Sequence, residues 1–343
     1  MDKIDELLTR GVDKVYPSKE ALEKVLRSGK KLKLYQGFDP TGTQLHIGHM
    51  VALRKLRQWQ DLGHEVIFLI GDGTGQAGDP SGKTTAREKF FSRDELRANT
   101  KDYVMQAGKI VRFDGEYPVK ILYNGDWLNE LKLVDILNIA QQFTVQQIIE
   151  RDLYQERIKK GEPINLREFM YPLLQGYDSV AMDVDLEIGG TDQTFNMLAG
   201  RHLMQVMKNK EKFVMTVPLL ADSKGVKIGK SEGNVIALTN SANDMYGKIM
   251  SLGDDVIPSL FTLLTDKSPT ETASPMDSKK EAARLIVAQL HSPSAADAAQ
   301  KHFESTVQAG NLPSDPVTVT VTSHNIVDVL VESGLASSKS AAK

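Results

Sequence analysis

Tyr35-Gln36-Gly37-Phe38-Asp39-Pro40-Thr41-Gly42-Thr43-Gln44-Leu45-His46-Ile47-Gly48-His49 is the stretch on which the reading of this chain turns. The apolar run Leu32 to Tyr35 reads as a strand. Gly, Pro and Asp then crowd a turn, and Met50, Leu53 and Leu56 follow at helical spacing. A strand, a glycine-bearing turn and a helix start together form an anion site, because unpaired backbone N–H groups and the helix dipole point outward there. His46 and His49 lie three apart and share one side of that helix. Three uses stay open from this segment alone. The pair could bind a metal, although no third ligand of suitable type lies nearby. They could be two partnered histidines at a helix start, or they could hydrogen-bond the phosphates of a nucleotide.

Outward from this point, short β-like runs alternate with amphipathic helices over the first two-thirds of the chain, the pattern of a parallel sheet covered by helices. Further strands are expected at Val66 to Ile70, Val119 to Tyr123, Leu186 to Ile188 and Val214 to Leu220. Ser92 to Glu95 and Asn165 to Glu168 have the form of capping boxes, and the second opens a helix running to about Met182. Asp126 to Lys160 reads as one long helix or a helical pair inserted between strands. Its apolar content exceeds what one exposed helix needs, so it is expected to face another subunit.

The character changes after about Lys224. The division expected is a Rossmann-like α/β catalytic domain over 1–223, a signature loop and α-helical domain over 224–312, and a linker with a last short domain over 313–343. That last part holds one apolar helix, Ile326 to Val331. About 20 residues cannot bury a core, so it reads as the start of a further domain.

Composition bounds the function. The 343 residues are 41% hydrophobic and 25% charged, ordinary for a globular enzyme of two or three domains. With no cysteine, disulfides, Cys-ligated zinc and thiol catalysis are excluded. No apolar run approaches the ~18 residues of a membrane span, and the acidic start Met1 to Glu6 resembles no targeting peptide. A soluble cytoplasmic protein with neither membrane nor DNA as partner is expected. The net charge of −3 argues mildly against a phosphate-backbone partner. Any RNA contact must use local clusters such as Lys30, Lys31 and Lys33, or Lys208 to Lys212.

A second glycine cluster, Gly71 to Thr84, contains two false leads. Gly73-x-Gly75-x-x-Gly78 matches a dinucleotide fingerprint in form, but Asp79-Pro80-Ser81-Gly82 breaks the helix that fingerprint needs. Gly82-Lys83-Thr84 ends like a P-loop, yet Ala77 stands where its first glycine belongs and Pro80 removes an N–H. What survives is a glycine loop carrying Asp79, followed by the cations Lys83 and Arg87. That combination suits a substrate with an ammonium and a phosphate.

On the helix from Asn165, Tyr171, Gln175 and Asp178 fall at i, i+4 and i+7, on one face. A solvent-facing stripe is the bland alternative, but the flanking Leu173, Leu174 and Tyr177 leave little room for it. A buried polar stripe must be hydrogen-bonded, so a pocket for a small polar molecule is expected. Gly189-Gly190-Thr191-Asp192-Gln193 then ends a strand in a glycine turn, where an Asp commonly meets a ribose hydroxyl. Lys227-Ile228-Gly229-Lys230-Ser231 lies in a polar loop able to fold over a polyphosphate.

In this order the segments closely resemble bacterial tyrosyl-tRNA synthetases, over residues 1–343. His46 to His49 resembles the first class I signature and Lys227 to Ser231 is a variant of the second. Tyr35-x-Gly37-Phe38-Asp39, Gly78 to Lys83, Tyr171 to Asp178 and Gly189 to Gln193 resemble motifs of the tyrosine enzymes. Val327 onward resembles the opening of an S4 RNA-binding domain. The resemblance implies that Tyr35 and Asp178 bond the substrate phenol. Asp79, Tyr171 and Gln175 would hold its ammonium, with Gln193 near its carboxylate. Gly37, Asp39, Gly48, Gly190 and Asp192 would serve the nucleotide together with Lys230 and Ser231, and Leu219 and Leu220 would pack on adenine. Thr41, His46, His49, Lys83, Arg87, Lys227 and Lys230 would stabilise the departing pyrophosphate. It further implies ATP arriving with Mg2+, no protein-bound metal, tRNA(Tyr) as partner and a homodimer. Ile228 and Gly229 depart from the usual second signature. Glu187 stands where many relatives carry Gln, and Thr194 to Asn196 where many carry Trp-Gly-Asn. A tryptophanyl enzyme and a non-catalytic RNA-binding protein on the same scaffold are the rivals. The first is disfavoured by Tyr35 and Asp178, since an indole offers no hydroxyl to pair with both.

Overall fold

The computed structural model describes residues 2–81, 90–222, 225–228, 235–270, 272–310 and 319–342. Six strands form one sheet: β1 Lys14–Tyr16, β2 Lys33–Phe38, β3 Glu65–Ile70, β4 Lys120–Tyr123, β5 Leu186–Gly190 and β6 Phe213–Val217. Their order is β1-β6-β5-β2-β3-β4, parallel except for β1, which runs antiparallel to β6. The expected parallel sheet is therefore present, with refinements at its ends. β2 continues through Gln36 and Gly37 to Phe38, because β3 supplies partners up to the pair Phe38 and Ile70. β6 starts at Phe213 and ends at Val217, before Pro218, which has no N–H for a ladder. β1 was not foreseen, since three residues are too few to show a period.

Helices α1 Lys3–Thr9, α2 Lys19–Arg27, α3 Ile47–Asp61, α4 Thr74–Ala77 and α5 Arg93–Ala107 accompany the first strands. Residues 126–160 are neither one long helix nor a pair. They belong to four short helices, α6 Gly125–Leu128, α7 Leu133–Ala140, α8 Val145–Ile149 and α9 Asp152–Lys159. The restarts have a local cause. Asp135 reaches back to the Lys132 N–H at 2.9 Å, and Thr144 and Gln147 cap each other. On α7, Leu133, Val134 and Leu137 are all more than half exposed.

α10, Leu166–Met182, starts at the expected capping box. Pro172 lies inside it and supplies no N–H to the carbonyl of Glu168; the Tyr154 hydroxyl donates to that oxygen instead, at 3.1 Å. Arg157 and the carboxylate of Glu168 form a buried ion pair at 2.6 Å, which ties α9 to the start of α10. α11 Thr194–Lys208 packs along α10. A Cβ at its Gly200 would stand 3.4 Å from Gly176 Cα of α10, and one at Gly176 would stand 3.1 Å from the Gly200 nitrogen, so the two helices approach closely there.

After residue 240 the chain is helical as expected: α12 Ala242–Met250, α13 Ile257–Leu264, α14 Pro275–Leu290 and α15 Pro293–Phe303. These do not form a separate core. One buried cluster runs from Leu34, Phe68 and Ile70 in the sheet, through Met50, Leu53 and Trp59 of α3, to Ile249, Phe261 and Ile286. The other sheet face buries a smaller cluster of Tyr35, Ile67, Leu69, Met182 and Val184. Period-2 alternation therefore turns Leu34 toward α3 and Tyr35 toward α10. The expected linker at 313–321 lies mostly outside the described residues. The expected last helix is present as α16 Ile326–Glu332, followed by α17 Lys339–Ala342.

Candidate active site

The sheet order reverses at one place. From β2 the chain moves to β3 and β4, then returns to place β5 and β6 on the other side of β2. Loops leaving the carboxyl ends of β2 and β5 diverge there and open a crevice, the usual ligand position in open α/β sheets. Asp39 follows β2, Gly71 and Asp72 follow β3, Asn124 follows β4, Asp192 follows β5 and Leu219 follows β6. The sequence-predicted Asp39, Asp192 and Leu219 thus gather at one edge of the sheet, joined there by Asp72 and Asn124, which the sequence reading did not single out.

The polar stripe of α10 is hydrogen-bonded, as expected, with Tyr171 and Asp178 buried and Gln175 partly buried. The Tyr171 hydroxyl donates to Asp39 Oδ2 at 2.9 Å, and Thr74 Oγ1 donates to the other oxygen at 2.7 Å. Gln175 Nε2 donates to Glu187 Oε1 at 3.0 Å. Asp178 is 1% exposed and accepts from Asn124 Nδ2 at 3.0 Å and Trp127 Nε1 at 2.8 Å. Burial pushes its pKa well above the ordinary carboxylate range, against the pull of those two donors. Burial likewise raises the phenols of Tyr35 and Tyr171, with Glu187 adding to the first and Asp39 to the second. Tyr35 does not bond Asp178 directly; its hydroxyl lies 3.0 Å from Ser179 Oγ.

At the other end of the stripe, Asp79 Oδ2 accepts from Gln193 Nε2 at 2.9 Å, while its Oδ1 accepts the Ser81 N–H at 2.8 Å. Asn196 Nδ2 holds the Gln193 amide from behind at 2.9 Å. Residues assigned to the ammonium and carboxylate of one amino acid are therefore neighbours.

The nucleotide side begins at α3. His46 is its N-cap, and its Nδ1 accepts the Gly48 N–H at 3.1 Å, while His49 Nδ1 accepts the His46 N–H at 3.1 Å. The partnered reading of the pair thus holds for both Nδ1 atoms. Each neutral ring then carries its hydrogen on Nε2, where it is a donor. A Cβ at Gly48 would stand 2.9 Å from the His46 ring, so glycine is what lets the ring fold over the helix start. The same position is 3.7 Å from the Ile228 carbonyl, which brings the two signatures side by side. Residues 45–47 also bond 236–238 through Ile47 N–H to Ile236 O and Leu238 N–H to Leu45 O. Lys227 Nζ reaches Asp192 Oδ2 at 2.9 Å. Gly37 faces open space, and Leu219 Cδ2 approaches Gly190 closely enough that a Cβ there would stand 3.0 Å from it. Leu220 is buried and Thr41 partly so. Lys83, Arg87, Lys230 and Ser231 lie outside the described residues.

Asn124, Trp127, Thr74, Ser179, Asn196 and Lys212 were missed. Asn124 is the most connected of them: it accepts from the N–H groups of Gly73 and Thr74 and donates to Thr74 Oγ1 and Asp178. Its position at a strand end, just before a glycine, was the only available signal.

A family model described as tRNA synthetases class I (W and Y) matches residues 27–308. Among curated proteins, a tyrosine–tRNA ligase of Dehalococcoides mccartyi is 41% identical over an alignment of 357 positions covering 100% of this chain and 89% of that one. That of Thermotoga maritima is 40% identical, covering 98% and 86%. Among solved structures, a C-terminally truncated mitochondrial tyrosyl-tRNA synthetase of Aspergillus nidulans superposes with a TM-score of 0.74 at 23% identity, covering 88% of this chain and 93% of that one. One of Archaeoglobus fulgidus, complexed with L-tyrosine, gives 0.63 at 19% identity, covering 90% and 98%. The chain belongs to the class I tRNA synthetases of the tryptophan and tyrosine group and, within it, to the tyrosine–tRNA ligases.

Proposed function

We infer that this chain activates tyrosine with ATP at the β2/β5 crevice and then transfers it to the 3′ end of tRNA(Tyr). One observation carries the reading. A buried carboxylate and phenol (Asp178 and Tyr35), a carboxylate-lined amino end (Asp79 with Gln193) and a histidine-capped helix start converge on the same strand ends. The first would read the substrate hydroxyl, the second its ammonium and carboxylate, the third the phosphates.

The residues need do no covalent chemistry. A carboxylate oxygen of tyrosine attacks the α-phosphorus as the bond to the β-phosphate bridging oxygen breaks, and pyrophosphate leaves with that electron pair. Negative charge grows on the leaving group, where His46 and His49 Nε2–H, Thr41 and Lys227 would meet it, joined by Lys83, Arg87 and Lys230. Holding both substrates in line supplies much of the remainder. Asp192 would meet the ribose and release Lys227 on doing so; Gly37, Asp39, Gly48, Gly190, Leu219, Leu220 and Ser231 would line the nucleotide. Magnesium would come bound to ATP, with phosphate and water oxygens as its main ligands.

Tyrosine is favoured over tryptophan and phenylalanine because a ligand without the hydroxyl leaves Tyr35 and Asp178 each short of a hydrogen bond in a buried site, a penalty for which this enzyme family is itself the usual illustration. Amino-acid-dependent exchange of pyrophosphate into ATP tests the reading: tyrosine should support it, and a preference for tryptophan overturns it. The exposed apolar residues of α7 are read as the contact with a second copy of the chain, and a monomer by sedimentation at micromolar concentration would sink that part. The cytoplasm as location rests on composition, the three-domain division on the change of character after Lys224, and an S4-like role for residues 313–343 on the resemblance.

A further inference from the structure

Glu187 and Lys212 form an ion pair beneath the tyrosine pocket, at 1% and 0% exposure. Removing two charges from water is expensive, and neutral side chains of the same size commonly pack as well or better. Stability alone is therefore a poor reason for the pair. Its surroundings suggest another.

Lys212 directly precedes β6 and sends its amine between α10 and α11. Nζ donates to Ser179 Oγ at 2.7 Å, to Glu187 Oε2 and to the Met197 carbonyl at 3.3 Å. Three acceptors thus face the three N–H groups of an ammonium. The space is made by a glycine: a Cβ at Gly200 would stand 2.6 Å from Nζ and 2.7 Å from Ser179 Oγ. Each end of this buried chain touches a residue assigned to the substrate. Ser179 Oγ is 3.0 Å from the Tyr35 hydroxyl, and Glu187 Oε1 accepts from Gln175 Nε2 at 3.0 Å.

We propose that the Lys212–Glu187 pair is a positioning device that orients both ends of the tyrosine pocket at once. At the phenol end, Lys212 occupies one lone pair of Ser179 Oγ and so favours the state in which the serine hydrogen is donated to Tyr35. The Tyr35 hydrogen, which Glu187 also draws, is then available to the substrate oxygen, whose own hydrogen goes to Asp178. At the amino end, Glu187 is an acceptor only, so it admits one flip state of the Gln175 amide. That state presents Oε1 to the pocket, and Gln175 Oε1 is a buried acceptor without a hydrogen-bond partner. A buried acceptor left open is what an ammonium donor would complete. A glutamine at position 187 would accept or donate equally well and would not set the flip.

This rests on the tyrosine-pocket reading, and the test separates the two. Pyrophosphate exchange is measured on the whole chain as wild type, as the charge-free double variant Glu187→Gln/Lys212→Met, and as Ser179→Ala. Asp178→Asn and Tyr171→Phe are run beside them. Each mis-set hydrogen bond should raise the tyrosine KM about tenfold. The tyrosine-to-phenylalanine ratio of kcat/KM should fall by a similar factor, while the KM for ATP stays within about twofold. The double variant should melt no lower than wild type, since no buried charge is left alone. A folded double variant with unchanged tyrosine KM and unchanged selectivity overturns the proposal. Should it fail to fold, Ser179→Ala decides alone, because it keeps both charges and removes the hydroxyl that joins Lys212 to Tyr35, at the cost of one acceptor for Lys212. If Asp178→Asn and Tyr171→Phe also leave the tyrosine KM unmoved, the pocket reading has failed rather than the pair.

Discussion

The amino-acid half and the phosphate half of this site are built on opposite plans. Tyr35, Tyr171 and Asp178 are buried and Gln175 partly so, on a strand and a long helix, and all four are bonded to protein partners before any substrate arrives. The phosphate half draws on a helix cap and a loop: His46 and His49 are partly exposed, and Lys227 is 43% exposed and reaches Asp192 across the crevice. A pocket that must reject phenylalanine needs groups whose unmet hydrogen bonds cost free energy, and burial supplies that cost. A set of donors that must follow charge onto a departing pyrophosphate gains from reach instead. Rigid burial serves selection, and exposed donors serve the rate.

His46→Asn should break the phosphate half most severely. Asparagine is a good N-cap, so α3 keeps its start, but the Nε2–H donor is gone. Losing one preorganised donor to developing charge costs about 100- to 1000-fold in kcat. The tyrosine KM should hardly move; an equal rise in both would erase the contrast. The mirror experiment is Asp178→Asn. It should lower the tyrosine-over-phenylalanine ratio by about 10- to 100-fold, the cost of leaving a buried polar group unsatisfied, with a smaller effect on the ATP KM.

The same variant should separate selection from stability. The Asp178 carboxyl has its pKa raised by burial, so the folded chain binds that proton more tightly than the unfolded chain does. Its contribution to stability is complete below the unfolded pKa and is lost as pH rises through the folded value. Unliganded wild type should therefore lose melting temperature relative to Asp178→Asn as pH is raised above the ordinary carboxylate range. A parallel pH dependence in the two proteins would contradict the burial argument. The smallest effect is expected from Lys227→Ala, which breaks an exposed pair worth less than about 1 kcal/mol. Denaturant midpoints should nearly coincide, although exchange activity falls.

Much of this contrast was legible beforehand. The spacing Tyr171, Gln175 and Asp178 placed three polar groups on one helix face among apolar neighbours, and the turn before His46 announced an anion site. Both are local patterns of the backbone period. The helix restart at Thr144 was legible in principle, being a capping box, but the apolar run across 126–160 masked it and the break at Lys132. β1 was not, because its only support is pairing with β6, about 200 residues away in sequence.

By itself the sequence determined the parallel sheet, the order of its motifs and the family to which they belong, because hydrophobic period and turn chemistry act over a few residues. Tertiary structure alone decided what holds those motifs in place. It set Asn124 and Trp127 on Asp178, joined the two signatures at Gly48 and Ile228, and gave Glu187 a buried counter-charge in Lys212. No local rule couples residues 25 to 180 positions apart. Only packing α10 and α11 over the ends of β2, β5 and β6 makes them neighbours.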